Sequence, residues 1–279
     1  WKGDPPHSIP NSLQEYVKES WGVPCAHNIT EPTLTIYPAE GRSSGRAMIV
    51  LPGGGYVLES IEAEGRLIAE FLASRAVTAA VLKYRLPLKE ASDRPHLVPI
   101  TDARRGLALL RSLADDYGFD RSKVGIMGFS AGGHLASTLS THFDAGDPQS
   151  ADPVDRLSCR PAFSVLMYPV ISFDQEFTHQ GSRINLLGKE ADPELVRSFS
   201  NELQVTPETP PAILVHSADD KAVPVRNSLS YHRALLENGV TAEIHVYPYG
   251  GHGYSLAVGR GHLSTWPDRV VEWIHYINR

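Results

Sequence analysis

KVGIMGFSAGGHLAS, residues 123–137, decides how the chain is read. A hydrophobic run of strand character ends in Gly128-Phe129-Ser130-Ala131-Gly132 and opens into a helix-forming segment. Small residues on both sides of Ser130 let the backbone turn sharply and approach itself, leaving the hydroxyl above the sheet edge as in a nucleophile elbow. A serine that merely caps the helix of residues 131–141 has no need of glycines on both flanks. A lone hydroxyl is a weak nucleophile at neutral pH, so this reading requires a base and an orienting acid elsewhere.

Both are present downstream. PAILVHSADD, residues 211–220, is a buried-strand pattern that ends in two acids, and AEIHVYPYGGHG, residues 242–253, sets His252 between two glycines after another strand pattern. The order serine, acid, histidine is that of α/β-hydrolases and differs from the two other common serine-triad orders. Asp219 and Asp220 both follow the same strand, and only one carboxylate can turn under the histidine. A third element is Pro52-Gly53-Gly54-Gly55-Tyr56, directly after the hydrophobic stretch RAMIVL. Glycines there let backbone amides approach a developing oxyanion without side chains filling the space, so the amides of Gly54, Gly55 and Ala131 are the candidate donors.

At 279 residues the chain suits one domain, 1–279, rather than two. Its 26 basic and 32 acidic residues are interspersed, with neither a basic stripe for nucleic acid nor a polybasic membrane patch, so a small or neutral ligand is the expected partner. The twelve histidines form no HExxH or Cys/His array, and no metal or other cofactor is expected. Two cysteines, Cys25 and Cys159, are too few for a disulfide scaffold but leave one bridge open. The first residue, Trp1, is compatible with a removed signal peptide, so secreted, periplasmic and cytoplasmic locations all stay open. Oligomeric state is not legible.

Patterning predicts strands at 34–39 and 46–52 joined as a hairpin through GRSSG, a helix at 62–75, a strand at 78–86 and an amphipathic helix carrying Leu107, Leu110 and Leu113. Asp102 is expected to cap that helix. Further strands are expected at 124–129, 162–167, 211–216 and 242–248, with helices at 131–141, 227–239 and 267–277. Strands alternating with helices imply an α/β fold, with a mostly parallel sheet covered on both faces and the candidate residues beyond the strand C-termini. Residues 171–209 are less regular and read as a small lid-like insertion near the site, with a plain surface excursion as the alternative.

PGGGY, GFSAGGHLAS, HSADDKAVPVRNS and YPYGGHGY resemble the α/β-hydrolases of the acetyl esterase/lipase group, and most of all bacterial carbohydrate esterases of the acetylxylan and feruloyl-esterase-like kind. The resemblance spans roughly residues 30–277. It implies a serine carboxylic ester hydrolase acting on acetyl or other short acyl groups of an acylated oligosaccharide or other small ester. It also favours Asp220 over Asp219, because the family's acid lies four residues beyond a strand-end histidine, here His216, and three before a valine, here Val223. One departure is Pro52, where familiar members carry histidine before the glycines. Arylformamidases and small-ester esterases share the scaffold, and a noncatalytic binding protein on the same fold stays open. Trp21, Tyr56, Tyr84, Tyr249 and Tyr254 are candidate sugar-facing rings, each with core packing as the alternative.

Overall fold

Along a strand, successive side chains point to opposite faces, and in this chain that alternation separates two cores. The computed structural model describes Trp1 and residues 3–277. In strands β4 (Ala47–Leu51), β7 (Val124–Phe129) and β9 (Ala212–Ser217), Ile49, Leu51, Ile126 and Leu214 face one way. They meet Leu107 and Leu110 of α2 (Val98–Ser112), Leu135 and Leu139 of α4 (Ala131–Thr141), and Tyr231 and Leu235 of α7 (Arg226–Glu237). Met48, Val50, Met127, Phe129, Ile213 and Val215 face the other way. Their partners are Ile68 and Leu72 of α1 (Leu67–Ser74) and Trp266, Val270, Trp273 and Ile274 of α8 (Trp266–Tyr276). Burial on both faces explains why these strands read as continuous apolar runs rather than alternating ones.

The central sheet has seven strands in the order β10, β9, β8, β7, β4, β6, β3, completed by β3 (Thr33–Tyr37), β6 (Thr78–Lys83), β8 (Ser164–Met167) and β10 (Ala242–Tyr247). All neighbours are parallel except β3, which runs antiparallel to β6. This is the α/β-hydrolase fold. A separate three-stranded sheet pairs β1 (Tyr16–Ser20), β2 (Val23–His27) and the two-residue β5 (Leu58–Glu59). It lies in a region where sequence patterning gave no strand. A π-helical turn, Ile61–Arg66, leads into α1, and α3 (Ala114–Tyr117) follows α2. Between β8 and β9 lie α5 (Gln180–Leu187) and α6 (Pro193–Ser198).

Two local expectations are corrected. β3 and β4 form no hairpin, because β6 lies between them and takes the pairing of both. β6 is satisfied on both edges, parallel to β4 over a helical crossover and antiparallel to β3, whereas a β3–β4 hairpin would leave no place for it between them. Asp102 does not cap α2, which starts four residues earlier at Val98. Its carboxylate instead forms a buried ion pair with Arg85, with Nη2 at 2.7 Å and Nε at 2.9 Å, and it accepts the Arg85 amide at 3.0 Å. The same guanidinium reaches Pro6 O and Ser8 Oγ, tying the N-terminal segment to the sheet. Cys25 and Cys159 are both buried free thiols. Among the described residues no helix is long and apolar enough to cross a membrane.

Removing one partner of a buried ion pair leaves the other charge desolvated and uncompensated. Asp102→Ala is therefore expected to lower unfolding free energy by about 3–5 kcal/mol in urea titrations. A loss under ~1 kcal/mol, as for an exposed pair, would show that the Arg85 site is not dry.

Candidate active site

Five neighbouring parallel strands, β4, β7, β8, β9 and β10, deliver their C-terminal loops to one end of the sheet. Ser130 stands between β7 and α4 with φ 51° and ψ −116°, a conformation that L-residues rarely adopt. Its cause is visible in the flanking glycines. A Cβ on Gly128 would lie 2.1 Å from the Gly132 carbonyl oxygen, and one on Gly132 would lie 2.2 Å from the Leu51 oxygen. The strand, the helix and the loop after β4 thus touch through backbone alone. Ser130 N–H donates to Met167 O at 3.0 Å, and Ser130 O accepts from Val170 and His134 amides, so the turn is held from both sides.

The candidate residues from sequence converge here. Ser130 Oγ–H donates to His252 Nε2 at 2.8 Å, and His252 Nδ1–H donates to Asp220 Oδ2 at 2.6 Å. Ser130 is 8% exposed, the His252 side chain 24% and the Asp220 side chain not at all, so the line meets solvent chiefly at the histidine and is closed at the acid. Asp220 is the acid that meets the histidine. Asp219 Oδ1 instead accepts the amides of Gly250 and Gly251 at 2.9 and 2.8 Å, fixing the turn before His252.

Asp220 is further held by residues that chain order did not single out as partners. Its Oδ1 accepts the Ala222 and Val223 amides, each at 2.9 Å, and its Oδ2 lies 3.2 Å from Nε2 of the fully buried His216. The His216 ring is oriented by Ser228 Oγ–H, which donates to Nδ1, and by the Val223 carbonyl, which accepts from Nε2–H. Burial pushes the Asp220 carboxyl up, but the hydrogen bonds from His216 and His252 outweigh it and hold the group well below the usual carboxylate range.

The glycine loop lies against the elbow, since a Cβ on Gly53 would lie 3.0 Å from Ser130 Cβ. Gly53 N–H is already committed, donating to Glu64 Oε2 at 2.8 Å. The Ala131 amide stands at the first position of α4, where a helix offers no acceptor of its own. Gly54 O accepts from Val57 and Leu58 amides, and Gly55 O accepts from Asn185 Nδ2 of α5 at 2.8 Å, so carbonyl contacts fix the orientation of both glycine peptides. With Pro52 in the place of a histidine, the loop takes support elsewhere. Tyr84 Oη–H donates to Pro52 O, and Tyr56 Oη–H donates to His134 Nδ1, both at 2.8 Å. His134 Nε2–H passes the chain on to Phe199 O at 2.9 Å.

Several residues missed by sequence reasoning line this region. Glu64 is buried, and its Oε1 accepts from Tyr168 Oη–H at 2.7 Å. Burial raises its carboxyl, opposed by the hydrogen bonds from Tyr168 and Gly53 and by the charge of His252. The Tyr168 ring stands edge-on to His252 with centroids 5.0 Å apart. His179, which N-caps α5, has its pKa lowered by burial and then by the charge of His252, which sets it in the same neighbourhood. Among the candidate sugar-facing rings, Tyr56, Tyr84 and Tyr254 are buried packing residues, whereas Trp21 and Tyr249 are 73% and 78% exposed.

A seven-stranded sheet of this connectivity, with a serine, a histidine and a carboxylate joined beyond its strand ends, defines the α/β-hydrolase class. The BD-FAE family profile matches residues 34–235, and the chain belongs to that family, within the acetyl esterase/lipase group related to bacterial acetylxylan and feruloyl-type carbohydrate esterases. It is similar to an acetylxylan esterase of Xylanibacter ruminicola, 38% identical over 82% of this chain and 44% of that protein. It is also similar to endo-1,4-beta-xylanase B of Butyrivibrio fibrisolvens, 36% identical over 81% of this chain and 35% of that one. The chain thus spans less than half the length of these two curated relatives. Among solved structures, the acetyl ester-xyloside bifunctional hydrolase from Caldicellulosiruptor lactoaceticus is 41% identical, with a TM-score of 0.83 over 88% of both chains.

One pH response follows from the strap through His134. Burial lowers its pKa from 6.5 to about 4, so below pH 6.5 the unfolded chain binds a proton that the folded protein refuses. Stability is therefore intact above that pH and falls as pH drops toward 4. Between pH ~7 and ~5 this group is expected to cost the wild type about 2 kcal/mol, a slope that His134→Gln should lack. Urea titrations of both proteins at the two pH values check it; parallel slopes would show that His134 gains a proton without loss.

Proposed function

We propose that this chain is a serine carboxylic ester hydrolase that removes acetyl or another short acyl group from a plant-type carbohydrate such as xylan. The observation that carries the reading is the hydrogen-bonded line Ser130, His252, Asp220, in which each donor has the acceptor that acyl transfer requires. His252 Nε2 takes the hydroxyl proton as Ser130 Oγ attacks the ester carbonyl. Asp220 holds the imidazole with Nδ1 protonated and stabilises the imidazolium that forms. The amides of Gly54, Gly55 and Ala131 receive the negative charge of the tetrahedral intermediate. As that intermediate collapses, His252 gives its proton to the departing alcohol and an acyl-serine is left. Water then attacks the acyl-serine, loses a proton to His252, and the acid departs while Ser130 regains its proton.

The acetylated sugar is supported by the names of two relatives, an acetylxylan esterase and an acetyl ester-xyloside hydrolase. A small acyl group suits a serine set close against Gly53 and His252, with Tyr168 edge-on to that histidine. Residues 1–279 are read as one domain, and residues 171–209 as a lid-like insertion, supported by the Asn185 contact to the glycine loop.

Ser130→Ala is expected to abolish the acyl-enzyme and reduce ester turnover by ~10⁴-fold or more, with residual binding catalysis only. Asp220→Asn should remain folded and lose about 10³–10⁴-fold in acylation, while Asp219→Asn loses far less. Stopped-flow acylation with 4-nitrophenyl acetate reads both; a larger loss in Asp219→Asn would reverse the choice of acid. A panel of acetylated xylo-oligosaccharides, acetylated mannans, feruloylated sugars and formylkynurenine tests the substrate, and preference for formylkynurenine would replace the carbohydrate reading by an arylformamidase. Absence of fluorophosphonate labelling at Ser130 together with no turnover across the panel would favour a binding protein.

A further inference from the structure

Glu64 and Tyr168 belong to no part of the acyl-transfer chemistry, yet both are buried beside it. Their hydrogen bonds run between the two loops whose relative placement that chemistry needs. Glu64 Oε2 accepts the Gly53 amide, and the Gly53 carbonyl accepts the Ser60 amide at 2.9 Å, so the peptides on both sides of Gly53 are held, the second being the one that carries the Gly54 amide. Glu64 Oε1 accepts from Tyr168, whose oxygen in turn accepts the Ser255 amide at 3.1 Å, three residues beyond His252. Ser255 Oγ–H closes the circuit by donating to Ala63 O, next to Glu64.

We infer that Glu64, acting through Tyr168, is a positioning residue that fixes the glycine loop and the His252 loop at one separation, so that proton transfer and oxyanion stabilisation are aligned in the same transition state. The inference rests on the Ser130, His252, Asp220 reading above. Both carboxylate oxygens are occupied by donors, which is the pattern an ionised carboxylate satisfies and a neutral amide does not. Tyr168 is also the first residue after β8, and the preceding Met167 carbonyl holds the Ser130 amide, so the elbow joins the same assembly.

Backbone geometry points the same way. Tyr56, Ser130, Tyr168 and Ser255 all hold positive φ, at 63°, 51°, 35° and 45°. Each such conformation is strained and persists only where its surroundings over-determine it. Three of the four, Ser130, Tyr168 and Ser255, are joined through this assembly, and Tyr56 ends the glycine loop itself.

The test uses the 279-residue chain with Glu64→Gln, Tyr168→Phe and the double variant, read by steady-state kinetics on 4-nitrophenyl acetate, fluorophosphonate labelling rates and thermal unfolding. Gln keeps the shape of Glu64 but offers a donor to a site built for two acceptors. Each single variant is expected to lose about tenfold or more in kcat, approaching the ~10²-fold cost of a misplaced catalytic group, with KM within about threefold of wild type. The labelling rate should fall in step, and the double variant should be no worse than the weaker single, since one linkage is cut. If Glu64→Gln fails to fold, Tyr168→Phe alone decides, because it cuts the link while leaving Glu64 on Gly53.

A kcat within about twofold of wild type in folded Tyr168→Phe would overturn the inference, as would losses that multiply in the double variant. A loss confined to KM, or one that disappears when the variants are assayed well below their melting temperatures, would also overturn it, because it would mark a binding or purely structural role. Wild-type protein unlabelled at Ser130 would instead overturn the underlying triad reading, so the two failures are told apart.

Discussion

The backbone at Ser130 is the constraint on which the candidate site at the end of the sheet depends. A non-glycine residue at φ 51° and ψ −116° is held only because its surroundings allow no relaxation. Gly128 and Gly132 let β7 and α4 approach closely, and the amide of Ser130 is taken by β8 rather than by its own strand's partner loop. That last bond matters beyond the turn. It makes the end of β8 part of the serine's support, and the end of β8 is where Tyr168 sits. Parallel pairing of β7 with β8 and of β8 with β9 then carries the alignment across to Asp220.

A second layer converts that rigid turn into a site. Asp220 is loaded with four donors, two backbone amides and two imidazoles, and its depressed pKa is the electrostatic sign of that crowding. His216 meets the same carboxylate oxygen, Oδ2, that His252 contacts. Glu64, bonded to the glycine loop through the Gly53 amide, also feels the charge of His252, although only Asp220 bonds the imidazole directly. The aromatic residues of PGGGY and YPYGGHGY divide by burial: Tyr56 anchors its loop in the core through His134, whereas Tyr249 stands in solvent on a turn pinned by Asp219.

What could be read from sequence was whatever local chain chemistry dictates. The elbow is a five-residue geometry that needs glycine at fixed offsets, so Ser130 was legible, and chain order then led to His252 and to a pair of acids. Strands buried on both faces announced themselves as apolar runs. What stayed hidden is long-range. The hairpin expected between β3 and β4 is locally plausible, and only the arrival of β6 between them replaces it. Asp102 looked like a helix cap because its partner, Arg85, lies in the preceding loop and has no periodic relation to it. Glu64 and Tyr168 carry no motif at all, and His216 was legible only as a spacing mark before the acid; each gains its role from the loop that folding brings beside it. β1 and β2 were missed because their outward residues give no clean alternation, with Tyr16 and Val17 both exposed.

Residues 171–209 leave the sheet at the end of β8 and return at the start of β9, two strands that pair directly with each other from Ser164↔Ala212 to Met167↔Val215. The segment is therefore a closed excursion between fixed posts, and its length and composition are decoupled from the register of the sheet. Lineages can rewrite such an excursion without disturbing the elbow, the acid or the histidine. The exceptions are Asn185, whose bond to Gly55 O couples the excursion to the glycine loop, and Phe199 and Asn201, which bond to His134 and its neighbours on α4. Variation in what reaches the serine can accumulate in this one stretch, while these few contacts to the glycine loop and α4 limit how far it can drift before the site itself shifts.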